Sequence, residues 1–352
     1  MIAPAGRGAT TACFVLLLAA YALHSVVDIT EQESHTTALL QAVSAVDDSV
    51  VWVSGHHATW VRTVDGGRTW VPGALTGPDS ALQFRDVEAV SASTAYLLAA
   101  GPGEQSRIYK TTDAGQSWRL QFLNHDSTAF YDCFGFWGAT HGIAVSDAAH
   151  GKMIIIRTDD GEHWSAVAGD GMPPASPGEG SPAAGGTCLI VRGRARAWFG
   201  TEPEARVYRS EDRGRHWSVV KTPIVSGEAA GVATLAFRDA RHGMALGGRL
   251  LKPDDRSDSV AAVTSDGGAT WILVHRPTFS GAVYGAAVIP GMPGHVVVAG
   301  PKGLDWTGND GRSWTSLSDS AYWAVGCKSR HACWAVGPHG RITRVTFEPP
   351  GR

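Results

Sequence analysis

Thr63-Val64-Asp65-Gly66-Gly67-Arg68-Thr69-Trp70 belongs to a recurring octet that restricts what this chain can fold into. Its pattern, a hydroxyl residue at the first position, Asp at the third, Gly at the fifth, a second hydroxyl and a closing Trp, returns at residues 111–118 and 264–271. Looser copies occupy residues 157–164, 210–217 and 307–314. Each part has a physical task in a turn between two strands. The short carboxylate (Asp65, Asp113, Asp159, Asp212, Asp266) accepts hydrogen bonds from backbone N–H groups that follow it. The glycine two residues on supplies a positive φ that a side chain would resist. The closing indole (Trp70, Trp118, Trp164, Trp217, Trp271, Trp314) starts the next strand and buries a large flat surface, with one N–H to satisfy. In the last copy Asn309 replaces Asp, and Arg157 takes the first position of the third copy, yet the glycine and the Trp never change. The octet therefore carries backbone geometry and packing rather than catalysis or metal binding.

Successive octet tryptophans lie 48, 46, 53, 54 and 43 residues apart. Each interval holds four short strand-like runs, and that period indicates propeller blades. The second strands align at residues 50–55, 95–101, 142–146, 195–200, 243–247, 295–300 and 332–337, which makes seven units for six octets. The seventh ends on a third strand from Gly340 with nothing after it. A ring with an open edge is a pairing hazard. The residues just before Leu39 are therefore expected to supply the missing outer strand.

In such a blade the first turn and the octet share one face, and the remaining loops share the other. The long connections (residues 166–187 and 248–259, with shorter ones at 102–106 and 123–131) all belong to the second face. Function concentrates on long loops carried by rigid scaffolds. The polar residues expected near the channel mouth on that face are Arg85, Tyr131, Asp132, Glu179, Arg206, Glu228 and Tyr284. Asp132 either points into the channel or caps a turn, and Glu179 either reaches over the mouth or is solvated. The acidic segment 252–258 lacks the ligand spacing and glycine of an EF-hand and reads as a solvated loop.

The net charge of −3 gives no basic footprint for nucleic acid. Arg7 precedes an apolar run over residues 9–23 with a small-x-small site at Ala20-Tyr21-Ala22. Residues 1–23 read as a secretory signal peptide, with an uncleaved anchor as the alternative. Residues 24–36 then form a linker, 37–347 the propeller and 348–352 a tail. Export would place the chain in the periplasm or outside the cell. There Cys133 with Cys188, and Cys327 with Cys333, either form disulfides or stay free and buried.

The octets resemble the Asp box, or BNR repeat, of β-propeller proteins. With seven units, the chain resembles the photosystem II stability/assembly factor-like family over about residues 37–347. The stretches Phe130-Tyr131-Asp132-Cys133-Phe134-Gly135-Phe136-Trp137 and Gly185-Gly186-Thr187-Cys188-Leu189 look like those of a bacterial subgroup of that family. The expected fold is all-β: a seven-bladed β-propeller with four-stranded blades and six Asp-box turns. The resemblance implies a monomeric, non-catalytic binding or assembly factor, without cofactor or metal, whose partner is a protein, peptide or glycan. Asp-box propellers also include sialidases and other glycoside hydrolases. No Arg-Ile-Pro occurs, against a sialidase, whereas a generic glycosidase needs two carboxylates across a cleft. Asp132 and Glu179 are the pair to test. Gly-x-Gly-x-x-Gly, Walker, His-Glu-x-x-His and Gly-x-Ser-x-Gly patterns are absent.

Overall fold

The computed structural model describes residues 1–2 and 26–348. Apart from its first two residues, the expected leader lies outside the described residues, as does the tail after Glu348. Seven four-stranded antiparallel sheets form the chain, and in the first six the strands follow sequence order from the inside outward. Their innermost strands, Leu40–Ala45, Phe84–Ala89, Tyr131–Phe136, Leu189–Arg192, Ala230–Phe237, Gly285–Val288 and Ala324–Ser329, neighbour one another around a closed ring. Second strands such as Val51–Gly55 and Val296–Gly300 are buried at every position. Both faces of each blade pack against another blade, so these strands are apolar throughout instead of alternating.

The ring closes as expected, and one boundary changes with it. Val26–Gln32 pairs antiparallel with Ile342–Glu348 and becomes the outer strand of the seventh blade. The stretch read as a linker over residues 24–36 thus carries a strand, and the propeller runs to Glu348 rather than 347. The polar alternation Asp28-Ile29-Thr30-Glu31 looked like linker because an outermost strand is solvated along one edge. Gln32 secures the closure: its Oε1 accepts from the indoles of Trp70 and Trp334, each at 3.1 Å, and its amide donates to the Gly66 carbonyl.

The octets fold as local hydrogen-bonded knots. Asp65 accepts from Thr69 N–H at 2.9 Å and Thr69 Oγ1 at 2.7 Å, while Thr63 Oγ1 takes the Gly67 N–H at 2.9 Å. Gly67 sits at φ +83°, where a β-carbon would also collide with Gln32. These bonds, Thr69 first, hold the Asp65 carboxyl down at about 2. In the last copy the donor reverses, and Asn309 Nδ2 donates to Ser313 Oγ at 2.9 Å. The third copy is one residue shorter than its sequence alignment. Thr158 and Asp160, not Arg157 and Asp159, make the knot, with Asp160 Oδ1 taking the His163 N–H at 2.9 Å. Asp159 instead pairs with Arg157. The two adjacent aspartates hid this deletion.

Octet carbonyls also bind neighbouring blades. Trp198 Nε1 donates to Gly267 O at 2.8 Å, and Tyr96 Oη to Gly161 O at 2.9 Å. The closing indoles are less uniform than expected: Trp118, Trp164 and Trp271 leave Nε1 without a partner. Trp118 meets the Trp52 ring edge-on at 6.0 Å, a geometry aromatic pairs favour. Both cysteine pairs are disulfides, Cys133 with Cys188 across blades 3 and 4 and Cys327 with Cys333 within blade 7.

Candidate functional site

The connection between blades 3 and 4 does more than decorate a face. After Gly171, whose carbonyl accepts the Trp217 N–H at 2.8 Å, it returns over the loop-rich face and then enters the central channel. Ala183 O lies 3.5 Å from Arg85 Nη1 of blade 2, and Ala184 O lies 3.4 Å from Gln41 Nε2 of blade 1. Thr187 Oγ1 meets Thr234 Oγ1 of blade 5 at 2.7 Å. Between them, a β-carbon on Gly185 would lie 2.3 Å from Trp323 O of blade 7, so only glycine passes there. Residues 183–187 thus cross the channel and plug it.

The plug divides the channel into two cavities. The inner one, about 350 Å³, is lined by Asp86, Glu88, Thr187, Arg192 and Lys328. Asp86 is fully buried and accepts from the N–H groups of Val87 and Phe134 at 2.8 and 2.9 Å. Burial nevertheless pushes its carboxyl well above the carboxylate range. Burial likewise lifts Glu88 to about 7, against the pull of Lys328.

The outer cavity, about 450 Å³, opens on the loop-rich face and has Ser181–Ala184, which lead into the plug, as its floor. Blades 3 and 4 supply an acidic wall of Asp132, Asp147 and Glu202. Gln41, His56 and Arg85 stand on the inner edges of blades 1 and 2, and Tyr284 and Trp323 form an aromatic pair with centroids 5.4 Å apart. Asp132 is 2% exposed. Burial first, then the charge and hydrogen bond of Asp147, push its carboxyl far up, although Arg85 pulls the other way. Burial raises Asp147 to about 6, opposed by the Ser181 N–H at 3.0 Å and by Asp132. Glu202 is raised by burial and by Asp147. His56 is lowered by burial, then by Arg85 and His57. Asp132 and Asp147 thus act on each other's titration, as close carboxyls do. Four polar atoms of the residues lining this cavity have no protein partner: Gln41 Oε1, His56 Nε2, Asp132 Oδ2 and Glu202 Oε2.

Of the residues expected near the mouth, Arg85, Asp132 and Tyr284 line this cavity. Tyr131, Glu179, Arg206 and Glu228 do not. The strand bulges between Tyr131 and Cys133, and the Tyr131 ring packs edge-on against Phe122 at 5.1 Å. Glu179 neither reaches over the mouth nor is solvated. Its side chain is completely buried, paired with Arg206, and it accepts from Thr201 Oγ1 at 2.7 Å and the Ser176 N–H at 2.8 Å. Charge pairing thus fixes the loop instead of facing a ligand, and Asp132 faces Asp147 rather than Glu179. Glu228 is exposed away from the cavity. His56, Asp147 and Glu202 were missed by sequence reasoning. Each follows the buried end of a second strand (Gly55, Ser146, Gly200), a position the seven-unit alignment exposes.

No protein-family model matches the chain, and no curated protein does. Solved structures do. YCF48 bound to D1 peptide is similar at TM-score 0.66 and 19% identity, over 91% of this chain and 96% of that one. YCF48 from Cyanidioschyzon merolae gives TM-score 0.63 and 14% identity, over 90% and 98%. The GH74 xyloglucanase from Xanthomonas campestris gives TM-score 0.62 and 14% identity, over 93% of this chain but 56% of that one. At these identities the likeness is one of fold: this chain is a seven-bladed β-propeller.

Proposed function

We propose that the chain is an exported, non-catalytic Asp-box propeller that binds a segment of a protein partner at its loop-rich face. The observation that carries this reading is the outer cavity. It is a blind, polar pocket with an aromatic rim, open where the long connections gather and closed below by the plug. Binding sites take this form, concave and preformed with a few convergent polar groups. The similar YCF48 structure holds a D1 peptide, which favours a peptide segment over a glycan. The assembly role and the periplasmic or secreted location are part of the same proposal.

The GH74 neighbour keeps a glycoside hydrolase in view. Retaining enzymes separate their two carboxyls by about 5 Å and inverting ones by about 6.5–9.5 Å. Of the pair expected to act together, Asp132 and Glu179, only Asp132 lines the cavity. Glu179 is locked away from the cavity.

The test is capture by the immobilised chain from an exported-protein fraction. A partner lost on Tyr284→Ala or Trp323→Ala, and kept on Arg68→Glu at the opposite face, supports the reading. Turnover of chromogenic glycosides that Asp132→Asn abolishes would overturn it.

A further inference from the structure

The outer cavity has a polarity that names the chemistry of what it holds. Its charged groups are three carboxyls, Asp132, Asp147 and Glu202, against one guanidinium, Arg85. Arg85 is already committed: Nε and Nη2 donate to Gln83 Oε1 at 3.2 and 2.7 Å, and Nη1 faces Ala183 O. It makes no ion pair with any of the three carboxyls. The floor segment Ser181–Ala184 contributes no titratable group. An anion entering here would meet the acidic wall and find no free cationic donor.

The unpartnered atoms point the same way. Asp132 and Gln41 line the cavity and are 2% and 4% exposed, and Asp132 Oδ2 and Gln41 Oε1 have no donor from the protein. Glu202 Oε2 is a third such oxygen. Buried acceptors are costly to leave unmade. An ammonium group carries three donors and no acceptor, whereas guanidinium is a planar fork suited to one carboxylate at a time. Among the described residues no group of three or more His, Cys, Asp or Glu is placed to hold a metal ion. The aromatic pair Tyr284–Trp323 on the same cavity suits an apolar stem behind the charge.

Resting on the protein-segment reading above, we propose that the outer cavity receives a primary ammonium group of the partner on Asp132, Asp147 and Glu202. The group is either a lysine side chain or an amino terminus. On binding, the ammonium sets its charge against carboxyls that burial has raised, which favours their release of protons to solvent. The other charged or titratable groups facing the pair are Arg85, Glu202 and His56. Arg85 pulls the Asp132 carboxyl down, burial and Asp147 raise Glu202, and burial, then Arg85 and His57, lower His56.

The experiment titrates the full chain calorimetrically at near-neutral pH, in two buffers of different ionisation heat. The probes are n-butylammonium for a lysine end, alanyl-alanine amide for an amino terminus, and N-acetyl-alanyl-alanine amide as the uncharged control. The expected result is saturable binding of one ammonium probe, silence from the acetylated control and a buffer-dependent heat that reports proton release. Asp132→Asn weakens binding about tenfold or more. Glu202→Gln, at a less buried position, does so without threatening the fold. Equal binding of the acetylated probe overturns the proposal, as does ammonium binding unchanged in Glu202→Gln. If neither ammonium probe binds while partner capture still depends on Tyr284, the ammonium assignment falls and the peptide-binding reading stands.

Discussion

Gln32 Oε1 lies 3.1 Å from Trp334 Nε1 although 302 residues separate them, and the same oxygen serves Trp70. One side chain from the first strand thus satisfies an indole in the last blade and another in the first. Gln32→Leu removes the acceptor from both. Leaving a buried donor unmade costs about 1–3 kcal/mol. Gln32→Leu is expected to lower the urea midpoint accordingly, with an unchanged m-value in equilibrium unfolding. An unaltered midpoint would mean that the ring closes without this contact.

Glu179 of the blade 3–4 connection pairs with Arg206 on a strand of blade 4. Burial alone would raise the Glu179 carboxyl, but Arg206, Thr201 and the Ser176 N–H together outweigh it, so the folded value lies below the ordinary one. A depressed carboxyl stabilises the fold above its unfolded value and loses that contribution as pH falls through the folded one. Glu179→Gln should therefore cost stability at pH 7, about 3–5 kcal/mol for breaking a buried pair, and the gap to wild type should narrow in acid. Thermal melts at pH 7 and pH 3 read this out.

Asp147 behaves in the opposite sense. Burial raises its carboxyl to about 6. The folded state holds a proton that the unfolded chain releases near pH 4, so the stabilising contribution is full below about pH 4 and is lost as pH rises through 6. Asp147→Asn should gain up to about 3 kcal/mol on wild type at pH 8 and nothing at pH 4. Urea midpoints across that range decide it, and a pH-independent difference would refute the raised Asp147 carboxyl.

The third octet offers a test of register. Asp160→Ala removes the acceptor of the His163 and Glu162 N–H groups and should lower the melting temperature by a few degrees, whereas Asp159→Ala should be nearly silent. The reverse order would restore the alignment with Arg157 at the first position.

The Cys133–Cys188 bond closes a 55-residue separation. Constraint of the unfolded chain by a loop of that length is worth about 4 kcal/mol in the chain-entropy model. The double variant Cys133→Ser/Cys188→Ser should lose stability of that order in chemical denaturation, and adding a reductant should then change little more at this pair.

The ring of blades was legible in the chain because its cause is local. Gly67 needs its positive φ, Asp65 caps the N–H groups beside it and Trp70 closes the same octet, all within eight residues that recur at blade spacing. The missing outer strand was legible too, since an unfinished seventh unit demands a partner at the other end of the chain. What the residues beside the channel do was decided only by the tertiary structure. Nothing near Glu179 in sequence says that Arg206 and Thr201 will surround it, and nothing near Asp132 says that Asp147 and Glu202 will line the same pocket. Strand direction, one residue of bulge and the path of residues 183–187 across the channel select which side chains meet. Those choices come from packing among blades far apart in the chain, where the energy of each contact depends on neighbours that no local pattern encodes.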